Sequence, residues 1–215
     1  MSHQDKFFDF IDDLNKNNIK YYFLRGFTKL PHKPDTDIDL VCHMSDWDFF
    51  NKIAENHLSG EGFQNFGFAE YCDMRYHPFF TPGPTDHSIP NGRFRIDSYN
   101  CLHMSSPMNN FRTYWTLPYK FGEYVFEKRI KVPYETPYYI PSVECEILLL
   151  VLRNILDFQG SWKAKHINRI RDLKGNFDQE ELLNCTSMVL PHSDKVVEYV
   201  CSDQYNKIFN LVMEN

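Results

Sequence analysis

Asp37 and Asp39 stand two residues apart, interleaved with Ile38, Leu40 and Val41, and no other segment constrains the chain as tightly. In an extended strand alternate side chains share a face and the chain rises about 3.3 Å per residue, which puts the two carboxylates on one side about 6.6 Å apart. Ile38 and Leu40 then enter the core. Upstream lies Tyr21-Tyr22-Phe23-Leu24-Arg25-Gly26, an apolar run that ends at a glycine. Carboxylates sharing a face repel each other, and a hard divalent cation with oxygen ligands relieves that repulsion, Mg²⁺ typically at about 2.0–2.1 Å and shared with substrate phosphates. A second alternating segment, Arg93-Phe94-Arg95-Ile96-Asp97-Ser98-Tyr99, sends Phe94 and Ile96 to one side and Arg95 and Asp97 to the other. With that strand beside the first, three carboxylates converge.

These residues resemble the nucleotidyltransferase superfamily of the polymerase-beta type. Its pattern is a strand and helix ending in Gly-Ser or Gly-Gly, about ten residues, an Asp-x-Asp with apolar flanks, and a third carboxylate on a later strand. The matching positions are Gly26, residues 27–36, Asp37-Ile38-Asp39-Leu40 and Asp97, a resemblance that covers residues 5–100. Leu24-Arg25-Gly26-Phe27 with Leu30-Pro31 is most similar to the uncharacterised nucleotidyltransferase-like proteins of surface-polysaccharide gene clusters. The chain departs from the pattern at Phe27, where the family has a small residue beside the triphosphate. Fukutin-like phosphotransferases, which also carry an Asp-x-Asp strand and use a nucleotide-activated donor, are the nearest alternative.

The resemblance implies catalytic and metal-ligating roles for Asp37, Asp39 and Asp97, with Mg²⁺ or Mn²⁺ as cofactor. Asp97 would also orient or deprotonate the attacking hydroxyl. Arg25 and Gly26 precede the loop that meets the nucleotide, and Thr28 and Lys29 offer a hydroxyl and an ammonium in place of the family serine. Arg25 is read equally as a partner of Asp35 or a surface residue. Lys163, Lys165, His166, Arg169 and Arg171 alternate with Trp162, Ile167, Ile170 and Leu173. That run is read either as a solvated helix face or as a basic face, with Arg169 on it, that closes on a nucleotide. His43, His87 and His103 read as ordinary polar residues.

The 215 residues suffice for one sizeable core with a helical appendage, and 42% hydrophobic and 16% aromatic content is that of a folded chain. A net charge of −6 speaks against broad binding to long nucleic acid, which needs a basic footprint. None of the six cysteines forms a Cys-x-x-Cys pair, so zinc-site spacing is absent. Cys145 and Cys201 sit in apolar helical patterns and read as buried thiols. With no signal peptide at the start and an apolar run at 147–152 too short to span a bilayer, the expectation is a cytoplasmic protein.

Along the chain, Ser2 with Asp5 predicts a helix cap before Phe7, Phe8, Ile11 and Leu14. Strands follow at 21–24 and 37–42, then a helix capped by Ser45 and Asp48, and a long turn at 81–92. Residues 104–120 read as a loop, and 124–132 with 138–140 as a hairpin. Ser142 caps an apolar helix through Leu156, a basic helix covers 162–174, and Asp178 and residues 192–194 open two more. The expected fold is therefore α+β: a nucleotidyltransferase-like domain at 1–141, with a mixed sheet and flanking helices, and a C-terminal helical region at 142–215. The expected function is metal-dependent transfer of a nucleotidyl group from a nucleoside triphosphate to a small hydroxyl or phosphate acceptor, such as a sugar or alditol phosphate. A non-catalytic nucleotide-binding module is the alternative outside enzymes.

Overall fold

The computed structural model describes residues 3–27, 30, 37–57, 74–78, 95–108 and 111–213. In chain order its elements are α1 (His3–Lys16), β1 (Tyr21–Arg25), β2 (Asp37–Cys42), α2 (Trp47–His57), β3 (Met74–Pro78), β4 (Arg95–Tyr99), β5 (His103–Met108), β6 (Phe111–Thr116), α3 (Tyr119–Lys128), β7 (Ile130–Val132), β8 (Tyr138–Ile140), α4 (Val143–Leu156), α5 (Ala164–Leu173), α6 (Gln179–Ser187), α7 (Ser193–Cys201) and α8 (Asn206–Met213). They fall into two compact units, residues 1–102 with 129–140, and residues 103–128 with 141–215. The α+β class is therefore as expected.

In the first unit a four-stranded mixed sheet runs in the order β1-β2-β4-β3. β2 is antiparallel to β1 and parallel to β4, and β3 pairs antiparallel with β4. Alternation sorts the strands as the sequence predicts. Ile38, Leu40 and Cys42 of β2 join Tyr21 and Phe23 of β1 and Ile96 of β4 in one buried cluster. Phe7, Phe10, Ile11 and Leu14 recur at helical spacing on α1 and are all buried in that cluster, with Trp47, Phe50, Ile53 and Ala54 of α2. Burying each large apolar side chain contributes roughly 1.5–3 kcal/mol, so this shared face holds both helices to the sheet. The Trp47 and Phe50 rings stack 5.4 Å apart, and His57 Nε2 meets Asp13 Oδ2 at 2.6 Å to tie α2 to α1.

Several expected details are corrected. α2 is preceded by a turn of 3₁₀ helix at Met44–Asp46 whose cap is His43: its Nδ1 accepts from the Ser45 N–H at 3.1 Å, the role expected of Ser45. Residues 104–120 are not a loop, because β5 and β6 pair from His103↔Thr116 to Met108↔Phe111 and α3 begins at Tyr119. Tyr124, Val125 and Phe126 look like a strand by propensity but are helical. Phe121, Tyr124 and Val125 stand three and four apart on the buried side of α3. The hairpin is shorter than expected, β7 pairing with β8 alone. Its rings back the first sheet, Tyr138 against Phe23 at 5.7 Å and Tyr139 against Tyr21 at 5.6 Å. The cap at Ser2 and the turn at 81–92 lie outside the described residues.

In the second unit two helix caps follow the sequence, while α5 and α7 begin without a side-chain cap. The Ser142 hydroxyl accepts from the Cys145 N–H at 3.3 Å, and Asp178 Oδ1 accepts from the Glu180 N–H at 2.8 Å. Among the described residues no helix is long and apolar enough to cross a membrane. Cys42, Cys145, Cys185 and Cys201 are free thiols, whereas Cys101 is disulfide-bonded.

Between α4 and α5 the chain turns through Gln159 and Gly160, both at positive φ (48° and 79°). Phe209 of α8 closes over that turn, so that a Cβ at Gly160 would lie 2.5 Å from its Cγ. Gly160→Ala is expected to lose about 2–4 kcal/mol from left-handed strain and overpacking together. At roughly 2–4 °C per kcal/mol the melting midpoint followed by circular dichroism should fall by about 4–16 °C.

Candidate active site

β2 runs between β1 and β4, and its polar side begins at Asp37 and Asp39. In the parallel pairing Asp37 is the Cα partner of Arg95, and Asp39 of Asp97. The side chains of Asp37 and Asp97 lie outside the described residues. Asp39 is fully described: its residue is 1% exposed, burial that a carboxylate tolerates only when donors or charges meet it.

Two donors do. The Tyr99 hydroxyl donates to Asp39 Oδ1 at 2.9 Å, and Arg25 Nη2 donates to the same oxygen in an ion pair. Charge-assisted bonds of this kind are about twice as strong as neutral ones. Among the described residues no hydrogen bond engages Oδ2. The fixed partner and the exposed one differ in kind, since the side chain of Asp39 is 2% exposed and that of Arg25 38%.

Arg25 reaches Asp39 through an irregularity in β1. The register runs Tyr21↔Cys42, Tyr22↔Val41 and Phe23↔Leu40, then skips Leu24 to pair Arg25 with Asp39. Such a bulge inserts one residue and re-aims those that follow. Gly26 comes next at φ 79°, a left-handed conformation that glycine adopts without a Cβ penalty. Phe27, the departure from the expected small residue, is buried at 7% exposure in the cluster under the sheet, so its ring is part of the core.

Of the expected site residues, Arg25, Asp37, Asp39 and Asp97 thus fall at neighbouring register positions of adjacent strands, with Gly26 directly after β1. Thr28 and Lys29 lie outside the described residues. Arg169 belongs to the second unit, where Glu146 holds its guanidinium by two bonds of 2.7 and 2.9 Å. That contact, with hydrogen bonding to Glu146 first among its causes, raises the Arg169 pKa further. His166, expected on a face with Arg169, is buried, its Nδ1 3.0 Å from Asn154 Nδ2. Tyr99 was not singled out from the sequence, although its place two residues after Asp97 was the available signal.

The open Oδ2 of the buried Asp39 carboxylate is a hard oxygen donor of the kind a hard cation takes. Tyr99→Phe removes one of two donors to a buried acceptor and is expected to lower stability by about 1 kcal/mol, read as a roughly 2–4 °C fall in melting midpoint. An unchanged midpoint would mean that the hydroxyl does not support Asp39.

No protein-family model matches the chain, and no curated protein matches it. Solved structures similar to it include the two that follow. One is the solution structure of the antibiotic-resistance factor ANT(2'')-Ia, with a TM-score of 0.46 and 13% identity over 98% of this chain and 96% of that one. The other is the crystal structure of an antigenic nucleotidyltransferase-like protein from Paracoccidioides brasiliensis, with a TM-score of 0.45 and 14% identity over 100% and 97%. Both likenesses are slight.

Proposed function

We propose that this chain is a divalent-metal-dependent nucleotidyltransferase that moves a nucleotidyl group from a nucleoside triphosphate to a small hydroxyl or phosphate acceptor, a sugar or alditol phosphate being the favoured class. The observation that carries this reading is the parallel β2–β4 register, in which Asp39 partners Asp97 while Asp37 stands two residues before it. Positions in register and positions two apart belong to one face of a sheet. Asp37, Asp39 and Asp97 form such a set, and Mg²⁺ or Mn²⁺ is the cation such a set selects.

When bound, the cation would neutralise charge building on the transferred phosphoryl group. The remaining work falls to the chain. Asp39 presents Oδ2 while the Tyr99 hydroxyl fixes Oδ1. Ile38 and Leu40, locked in the core, keep that strand from shifting. Asp97 accepts the proton of the attacking hydroxyl as it aligns with phosphorus. Gly26 lets backbone approach the donor phosphates, and Thr28 and Lys29 are the candidates for further phosphate contacts, whereas Arg169 is engaged by Glu146 within the second unit. A role in surface-polysaccharide assembly follows from the sequence resemblance alone. A cytoplasmic setting rests on the four free thiols, and the disulfide at Cys101 stands against it, because such bridges persist in oxidising compartments.

Thermal unfolding with nucleoside triphosphates and nucleotide-diphosphate conjugates, with and without Mg²⁺ or Mn²⁺, tests the reading. A ligand at about 100 times its dissociation constant stabilises by about 2.7 kcal/mol, a shift of roughly 5–10 °C here. The expected result is a metal-dependent shift with a triphosphate that Asp37→Asn and Asp39→Asn both abolish. A shift with diphosphate conjugates only would select the fukutin-like donor, and no shift with any nucleotide would sink nucleotidyl transfer.

A further inference from the structure

Building on the reading of Asp37, Asp39 and Asp97 as a cation site, we infer that Arg25 is a stand-in cation: it neutralises Asp39 while no metal is bound, and releases it to a divalent ion and turns to the donor's phosphates. Three observations support this, the first being placement. Continued without interruption, the β1–β2 register would set Leu24 opposite Asp39, and the bulge puts Arg25 there instead. A leucine at that position would leave a carboxylate of 1% exposure without counter-charge. Bulges beside active sites commonly serve to re-aim one side chain.

The second observation is the asymmetry of the contact. Tyr99 and Arg25 both meet Oδ1, which leaves Oδ2 open to a further ligand among the described residues. Tyr99 is a neutral donor that coexists with a metal on Oδ2. A guanidinium on the same carboxylate does not, since two cations a few ångströms apart repel strongly even at an effective protein dielectric. One of them must leave.

The third observation is which partner is able to move. The Asp39 side chain is 2% exposed on a central strand, and Arg25, 38% exposed, ends β1 where the chain departs through Gly26 at φ 79°. Of the two side chains Arg25 is the more exposed, although its Nε is buried, so it is the one with room to move. A planar guanidinium freed at this point is well suited to pair with phosphate oxygens. Metal and nucleotide would then bind cooperatively, because each supplies what the other displaces.

The test is Mn²⁺ binding to the full chain, titrated by electron paramagnetic resonance without nucleotide and then with a non-hydrolysable nucleoside triphosphate analogue. Arg25→Gln is expected to bind Mn²⁺ alone roughly tenfold more tightly than the unsubstituted chain, and the Mn²⁺–analogue pair roughly tenfold more weakly. Arg25→Lys, which keeps the charge, should stay within about twofold for Mn²⁺ alone. Arg25→Gln should also unfold at a lower temperature without metal and recover when Mn²⁺ is added. Unchanged or weaker Mn²⁺ binding by Arg25→Gln overturns the role given to Arg25.

Should that variant fail to fold, the ¹⁵Nε signal of Arg25 in the unsubstituted chain decides, moving on Mg²⁺ addition if the inference holds and staying still if it does not. Mn²⁺ binding that Asp39→Asn abolishes and Arg25→Gln leaves untouched removes only the role of Arg25. No Mn²⁺ binding by any form removes the cation site itself, and the inference with it.

Discussion

A buried carboxylate on a central strand sets the terms for everything around it. Asp39 sits where β2 is paired on both sides, so its neighbours are fixed by two ladders at once. The ladder to β1 delivers an arginine by a bulge, and the ladder to β4 delivers Asp97 in register and Tyr99 two positions on. Removing water from a charged group costs several kcal/mol unless charge and hydrogen bonds replace it. The apolar side of the same three strands, packed under α1 and α2, provides the rigidity that holds these contacts in place.

Much of this was legible from alternation alone. Ile38, Leu40 and Ile96 fall in the core where a period of two sends them, and the side-by-side strands bring Asp39 to Asp97. The bulge at Leu24 was not legible, since nothing in Tyr-Tyr-Phe-Leu-Arg-Gly marks which residue is skipped, and the pairing of Arg25 with Asp39 depends on it. Phe27 departs from the family pattern by position, yet its fate in the core depends on long-range packing that a local pattern does not contain. The strands of residues 103–116 were hidden by Pro107 and two asparagines. α3 was hidden because Tyr, Val and Phe favour strands intrinsically while burial at helical spacing overrode that preference.

In the second unit, charges that suggested a ligand surface are largely spent on structure. Glu146, nearly buried on α4, takes two bonds from Arg169 on α5, and Asn154 of α4 engages both His166 and the Lys163 N–H. Lys174 donates to the Val200 and Cys201 carbonyls, closing the end of α7. These are the contacts by which a short, strongly basic helix is joined to an apolar one, and a run of charges in sequence does not distinguish them from a binding face.

The path of the chain has its own consequence for synthesis. The first unit is made of residues 1–102 and 129–140, with the segment between them belonging elsewhere. Tyr138 and Tyr139, whose rings back β1, therefore leave the ribosome more than a hundred residues after the strand they cover. Until then the aromatic side of β1 lacks its cover, a condition that exposes nascent chains to aggregation. Premature termination near residue 102 would yield a sheet carrying its acidic residues but missing that cover, so the product of a truncated message should be a substrate for chaperones and proteases and not a smaller working domain.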